Sequence, residues 1–220
     1  IRIDGAGKKV TRSDNCRVSD LSVSSDNLTF TYEAKSLPYP IDTSYYDNEK
    51  HTQADALSVI PFMDEMNYEG LSVSGLSDGY YGLTIGGEFI GRFTARELER
   101  GINMALLQNT PQYKQAMKIR QMNEERWLKE RKMREFYWVE YNLMRKTGML
   151  WACNEAAVDT LRKYRPHDIF LQWNGDLWLQ YMHKGIREDC VNEQQDLVNQ
   201  IYEQNKPIPL RIEIKKFTDL

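Results

Sequence analysis

The amino-acid sequence predicts an α+β fold: an N-terminal antiparallel, sandwich-like β region, then a helical region with a long helix hairpin. Three observations predict this. Residues 1–93 hold short alternating apolar runs parted by Gly, Asn, Asp and Ser. From residue 94 the apolar side chains recur at the helical period. A short alternating run, Leu210–Ile214, comes after Pro207 and Pro209. The expected division is a β-rich region at 1–93 and a helical region at 94–220 with a short terminal strand.

In the β-rich part, Ile1–Ile3 and Lys9–Thr11 flank Asp4-Gly5-Ala6-Gly7, a hairpin signal. Val18–Val23 alternates with one slip and Leu28–Tyr32 alternates cleanly. Ser24-Ser25-Asp26-Asn27 supplies the turn between them. Residues 33–55, with Pro38, Pro40 and the polar run Asp42–Gln53, show no period and read as a long surface excursion. Leu57–Ile60, Leu71–Val73, Tyr80–Ile85 and Glu88–Phe93 return to strand composition. Gly86-Gly87 between the last two calls for positive φ in a two-residue hairpin turn. These strands carry more apolar surface than one helix layer covers. Val18–Val23 and Leu28–Tyr32 are therefore expected to form an exposed apolar face on the 1–60 side.

In the helical part, Thr94-Ala95-Arg96-Glu97 is a capping box. It opens a helix expected to carry Leu98, Ile102, Ala105 and Leu106 on one face. Thr110-Pro111 marks a second start, with Pro at the first helical position. From there to about Lys146 no Gly and no further Pro intervenes. Phe136-Tyr137-Trp138-Val139 is apolar all round and should be buried. Gly148 ends that helix. Asn154–Tyr164 and Leu177–Asn205 read as further helices, the latter with a possible break at Gly185.

Charge and composition exclude several function classes. Twenty-nine Lys and Arg stand against 32 Asp and Glu, for a formal charge of −3, without the basic excess of a nucleic-acid binder. The basic stretch 114–134 around Trp127 is interrupted by Glu124, Glu125 and Glu130. Pairs such as Glu125–Lys129 and Glu130–Arg134 are ordinary helix support. The longest apolar runs, Met149–Cys153 and Phe136–Val139, fall far short of the ~20 residues of a membrane-spanning helix. Three widely spaced cysteines, Cys16, Cys153 and Cys190, form no C-x-x-C; they read as mostly buried thiols, with a disulfide open if the protein is exported. Ile1 is not a Met and follows no leader-like segment, so the chain reads as part of a longer protein.

The search for chemistry is mostly negative. Gly75-Leu76-Ser77-Asp78-Gly79 matches the nucleophile elbow G-x-S-x-G, which needs a helix after the serine. Tyr80–Ile85 reads as a strand, so a Gly-rich turn is expected instead. His51 (near Asp47, Glu49 and Asp55), His167 and His183 show no spacing that marks a site. No H-E-x-x-H, phosphate-binding loop, dinucleotide fingerprint or EF-hand loop occurs, and Asp42–Asp55 is too irregular to bind calcium. The residues thus assign no catalytic, cofactor-binding or metal-binding position. The aromatics Trp138, Trp151, Trp173, Trp178 and Tyr181 gather in one half, as core or as a platform for a sugar or a protein partner.

The run from Leu71 to Ala105, containing Gly82-Leu83-Thr84-Ile85-Gly86-Gly87 and Gly91-Arg92-Phe93-Thr94-Ala95-Arg96-Glu97-Leu98, continues into Thr110-Pro111-Gln112-Tyr113-Lys114-Gln115-Ala116. It resembles the C-terminal region of bacterial SGNH (GDSL-type) hydrolases, the lipase/acylhydrolase group seen in Bacteroides and planctomycetes. Asn15–Leu21 and Ser36–Pro40 also fit, and the likeness covers roughly residues 1–145. Gly86 stands where that group usually has Asp. The group's catalytic G-D-S, G-x-N-D and D-x-x-H segments are absent from this sequence. The resemblance therefore implies the non-catalytic C-terminal accessory region of an ester hydrolase acting on acylated carbohydrates. Its implied partners are an upstream catalytic domain of the same polypeptide and a carbohydrate ester, with no nucleic acid, cofactor or membrane span, and its implied location periplasmic or secreted. The alternative is a free-standing carbohydrate-binding or protein-interaction module.

Overall fold

The computed structural model describes residues 1–43 and 50–217. Two compact units emerge: Ile1–Arg120 with Gln204–Leu220, and Gln121–Glu203. The β-rich stretch 1–93 lies within the first. The architecture is α+β, with sheets preceding the main helices.

The first unit holds two sheets. One contains β1 (Arg2–Asp4), β2 (Lys9–Arg12), β5 (Gly70–Ser74) and β8 (Ile102–Asn103), in the order β2-β1-β5-β8. The other contains β3 (Cys16–Val23), β4 (Asn27–Ala34), β6 (Tyr80–Ile85), β7 (Glu88–Thr94) and β9 (Leu210–Lys216), in the order β3-β4-β9-β6-β7. Among the described residues the strand pairings are antiparallel, as expected for this region, apart from β1 with β5, which run parallel.

Alternation explains the register. In β4 the residues Leu28, Phe30 and Tyr32 point inward and meet Ile214, Ile212 and Leu210 of β9. Leu83 and Ile85 of β6 face Ile214 and Ile212 from the other side. These side chains share one core with Ile3, Leu71 and Val73 of the four-stranded sheet. The expected apolar face is therefore corrected: Leu28, Phe30 and Tyr32 are core, and Val18, Leu21 and Val23 are half-buried against it. The slip in Val18–Val23 is a bulge between Ser19 and Ser22, where Asp20 takes φ +54°.

Two further expectations change. Leu57–Ile60 is not a strand. Thr52 and Asp55 form a capping box that starts the short helix α1 (Gln53–Ala56), and the apolar residues after it fall in a turn before α2 (Phe62–Glu65). The Thr94–Glu97 capping box does open α3 (Ala95–Arg100), but the helix stops at Gly101, φ +97°. Ile102 then pairs with Leu71 as β8, and Met104–Leu106 is a 3-10 turn.

In the second unit, α4 (Pro111–Val139) enters from the first and continues as a π-helical segment, Glu140–Met144. It is followed by α5 (Glu155–Tyr164), α6 (Ile169–Tyr181) and α7 (Lys184–Gln204). The expected helix from Leu177 is two: Asp168 caps α6, and the break falls at Met182-His183 rather than Gly185. Arg187 holds that break by donating to the carbonyls of Tyr181 (2.6 Å) and Met182 (2.7 Å), which α6 leaves open. Phe136, Val139, Met144, Leu161 and Trp178 form the core of this unit. Among the described residues no helix is long and apolar enough to cross a membrane.

Candidate functional site

The first unit contains a cavity of about 610 Å³ whose lining includes Arg2, Cys16, Tyr32, Asn67, Glu69 and Arg100. Its size falls in the range of small-ligand sites. Glu69 stands immediately before β5, Tyr32 on β4, and Gln112 in the first turn of α4. Tyr32 donates its hydroxyl to Glu69 Oε1 at 2.8 Å, and Gln112 Nε2 reaches both carboxylate oxygens at 3.2–3.3 Å.

The local backbone explains why this carboxyl stays put. Asn103 accepts the Glu69 N–H at 2.9 Å and donates to the carbonyls of Met63 (2.9 Å) and Asn67 (3.0 Å). Asn67 in turn exchanges two hydrogen bonds, each 2.9 Å, with the backbone of Tyr39. Two asparagines thus tie Tyr39, Met63 and Asn67 to the backbone of Glu69.

Burial pushes the Glu69 carboxyl above its ordinary range; the bonds from Tyr32 and Gln112 oppose the rise. Tyr32 is itself pushed far up, first by burial and then by the neighbouring Glu69. Gln112 Oε1 is buried without a hydrogen-bond partner, so this network has an unused acceptor. The chemistry on offer is hydrogen bonding and charge from Arg2 and Arg100, which suits a polar or hydroxyl-rich group. Burial raises the Cys16 thiol, which leaves it a poor nucleophile, and no histidine lines the cavity among the described residues. Sequence reasoning missed Glu69, since one acid beside a strand carries no periodic signal.

The structure scatters the residues weighed from the sequence. Ser77 lies in a turn between Gly75 (φ +74°) and Gly79 (φ +141°), and strand β6 follows it. Its hydroxyl receives Lys216 Nζ at 2.8 Å and lies 3.1 Å from the Tyr81 hydroxyl. Gly86 and Gly87, at φ +60° and +85°, make the tight turn joining β6 to β7. His167 ends the 3-10 turn before α6. His183 Nδ1 sits 3.2 Å from Cys153 Sγ. The acids near His51, Asp47 and Glu49, fall outside the described residues, as does part of Asp42–Asp55. Trp178 is core, whereas Trp173 is 66% exposed and forms an edge contact at 5.5 Å with the half-exposed Phe170. All three cysteines are free thiols. Among the described residues, no group of three His, Cys, Asp or Glu is placed to hold a metal ion.

Comparison with known proteins adds to this geometry. Residues 117–206 match the family model described as the diltiazem deacetylase C-terminal helical domain. Over 98% of its length the chain matches the structure of a gut microbial diltiazem-metabolizing enzyme, with a TM-score of 0.91 and 34% sequence identity. It covers 49% of that enzyme and so spans about half its length. No curated protein matches the chain.

Proposed function

We propose that this chain is the non-catalytic C-terminal region of an SGNH/GDSL-type ester hydrolase. Acylated carbohydrates are its substrate class, and a preceding catalytic domain supplies nucleophile, base and oxyanion donors. One observation carries the reading: nearly the whole chain matches only about half of a diltiazem-metabolizing enzyme. The likeness of residues 117–206 to a deacetylase C-terminal domain supports it. So does the absence of G-D-S and D-x-x-H from the sequence. The Glu69 cavity would then bind polar groups beside the reacting centre without entering the chemistry.

The test assays the 220-residue chain and the longer polypeptide on nitrophenyl acetate and on an acetylated sugar. The chain alone should give background rates, and the longer polypeptide should turn over. Robust turnover by the chain alone, lost in Ser77→Ala, would overturn the proposal.

The exposed Trp173 and Phe170 favour a second reading, a free-standing carbohydrate-binding or protein-interaction module. Retention of the chain on an immobilised polysaccharide, abolished by Trp173→Ala, would select that reading.

A further inference from the structure

Cys153 lies in the turn between the π-helical segment and α5, one residue before the α5 cap Asn154. His183 occupies the break between α6 and α7. The two come from different elements, thirty positions apart, and both are exposed. Sγ and Nδ1 are 3.2 Å apart, within hydrogen-bond reach for sulfur.

Each partner is anchored to buried structure. The Cys153 turn is tied by the Trp151 N–H to Glu140 Oε2 at 2.8 Å and by the Ala152 N–H to the Met149 carbonyl at 2.9 Å. Trp151 holds φ +62°, rare for a bulky side chain, with its ring packed on Phe136, Tyr137 and Tyr141 at 5.9–6.3 Å. On the other side, Arg187 fixes the two carbonyls just before His183. The other thiols lack this arrangement: Cys190 is buried, donates to the Lys129 carbonyl at 3.7 Å and accepts from Gln194 Nε2 at 3.8 Å, and Cys16 is half-buried.

We propose that Cys153 and His183 form a nucleophilic thiol–imidazole pair, a modification site that takes low-molecular-weight disulfides. A nucleophile and a base within hydrogen-bond reach are what such chemistry requires. With His183 in the Nε2–H tautomer, Nδ1 accepts the thiol proton. The Cys153 thiolate then attacks one sulfur of the disulfide; a new S–S bond forms as the old one breaks. The departing thiolate takes the proton back from the imidazolium. One thiol and one disulfide give one mixed disulfide and one thiol, with no outside oxidant.

The 220-residue chain is the test material. At pH 7, iodoacetamide labelling followed by peptide mass spectrometry should modify Cys153 about ten-fold faster than free glutathione, with Cys16 and Cys190 lagging. His183→Ala and His183→Gln should each slow Cys153 about five-fold or more. The alanine variant also removes a shielding ring, so a thiol that is only exposed would react as fast or faster, and that result overturns the pair. Oxidised glutathione should add to Cys153 alone, reversibly with dithiothreitol. Labelling by iodoacetamide without any such adduct overturns the disulfide assignment.

Discussion

Trp178 donates its indole N–H to Glu140 Oε1 at 2.8 Å, while Glu140 Oε2 accepts the backbone N–H of Trp151 at the same distance. Glu140 is 1% exposed and opens the π-helical segment. A π turn changes the side-chain progression of the helix, and such turns recur at functional positions. Here the carboxylate enters the core of the second unit with both oxygens bonded, which offsets part of the cost of burying it. One side chain thereby joins α6 to the turn that carries Cys153.

Removing that carboxylate leaves two donors without acceptors. Glu140→Ala should destabilise the second unit by roughly 2–6 kcal/mol, about 1–3 for each buried donor left unpaired. Glu140→Gln keeps the shape but turns an NH₂ toward one donor, and should cost about 1–3 kcal/mol. Urea denaturation followed by tryptophan fluorescence would read both. Two unchanged midpoints would show that neither bond contributes to stability.

The Glu69 network makes a pH prediction. Its carboxyl is raised in the folded state, mainly by burial. The folded chain therefore holds this proton to higher pH than the unfolded chain does. The group's contribution to stability falls as pH rises from the ordinary glutamate value through the raised one, and stays low above it. Glu69→Gln keeps the oxygen that already accepts from both Tyr32 and Gln112. The variant should melt above wild type at pH 8, and the gap should close toward pH 4. A variant that melts lower at pH 8 would mean that the carboxylate charge itself holds the network.

How far these features were legible follows from their range in sequence. Leu28–Tyr32 and Leu210–Ile214 were readable as strands because alternation is local, although their pairing joins opposite ends of the chain. The slip in Val18–Val23 was visible, and only the paired strand shows it to be a bulge. Leu57–Ile60 misled because an apolar run has no period of its own; the Thr52–Asp55 cap beside it decided the local structure. Ile102 left its expected helix because Gly101 ended it and β5 offered a partner. Glu69, Glu140 and the Cys153–His183 contact were illegible, since each depends on residues that only tertiary folding brings together.

The β6–β7 turn makes a graded prediction. Both glycines have positive φ, where a β-branched residue clashes with its own backbone at a cost of about 1–2 kcal/mol. The two differ in surroundings. A Cβ on Gly86 would lie 3.2 Å from Pro111 and 3.4 Å from Leu210, whereas Gly87 faces open space. Thermal midpoints should therefore fall in the order Gly87→Asn, Gly87→Val, Gly86→Val, with asparagine close to wild type because it tolerates this conformation. Equal midpoints for the two valine variants would contradict the packing argument.

The last prediction concerns the face that a preceding catalytic domain would cover. Of the strands first expected to form it, β4 turns Leu28, Phe30 and Tyr32 into the core and β3 is half-buried, whereas several exposed apolar side chains gather between residues 59 and 68. Val59 is 81% exposed, Met66 77%, Tyr68 59% and Ile60 51%. Single exposed hydrophobics are normal, but several in one short segment mark a contact surface more often than chance. In the longer polypeptide, Val59→Asp and Met66→Asp should each lower the melting temperature, because a charge would be placed against an apolar neighbour. In the 220-residue chain the same changes replace water-facing apolar groups and should stay within ~0.5 kcal/mol of wild type. Parallel melts of both lengths decide it. Losses of equal size in the two would place the cost inside this chain, and no loss in either would leave the segment facing water in both.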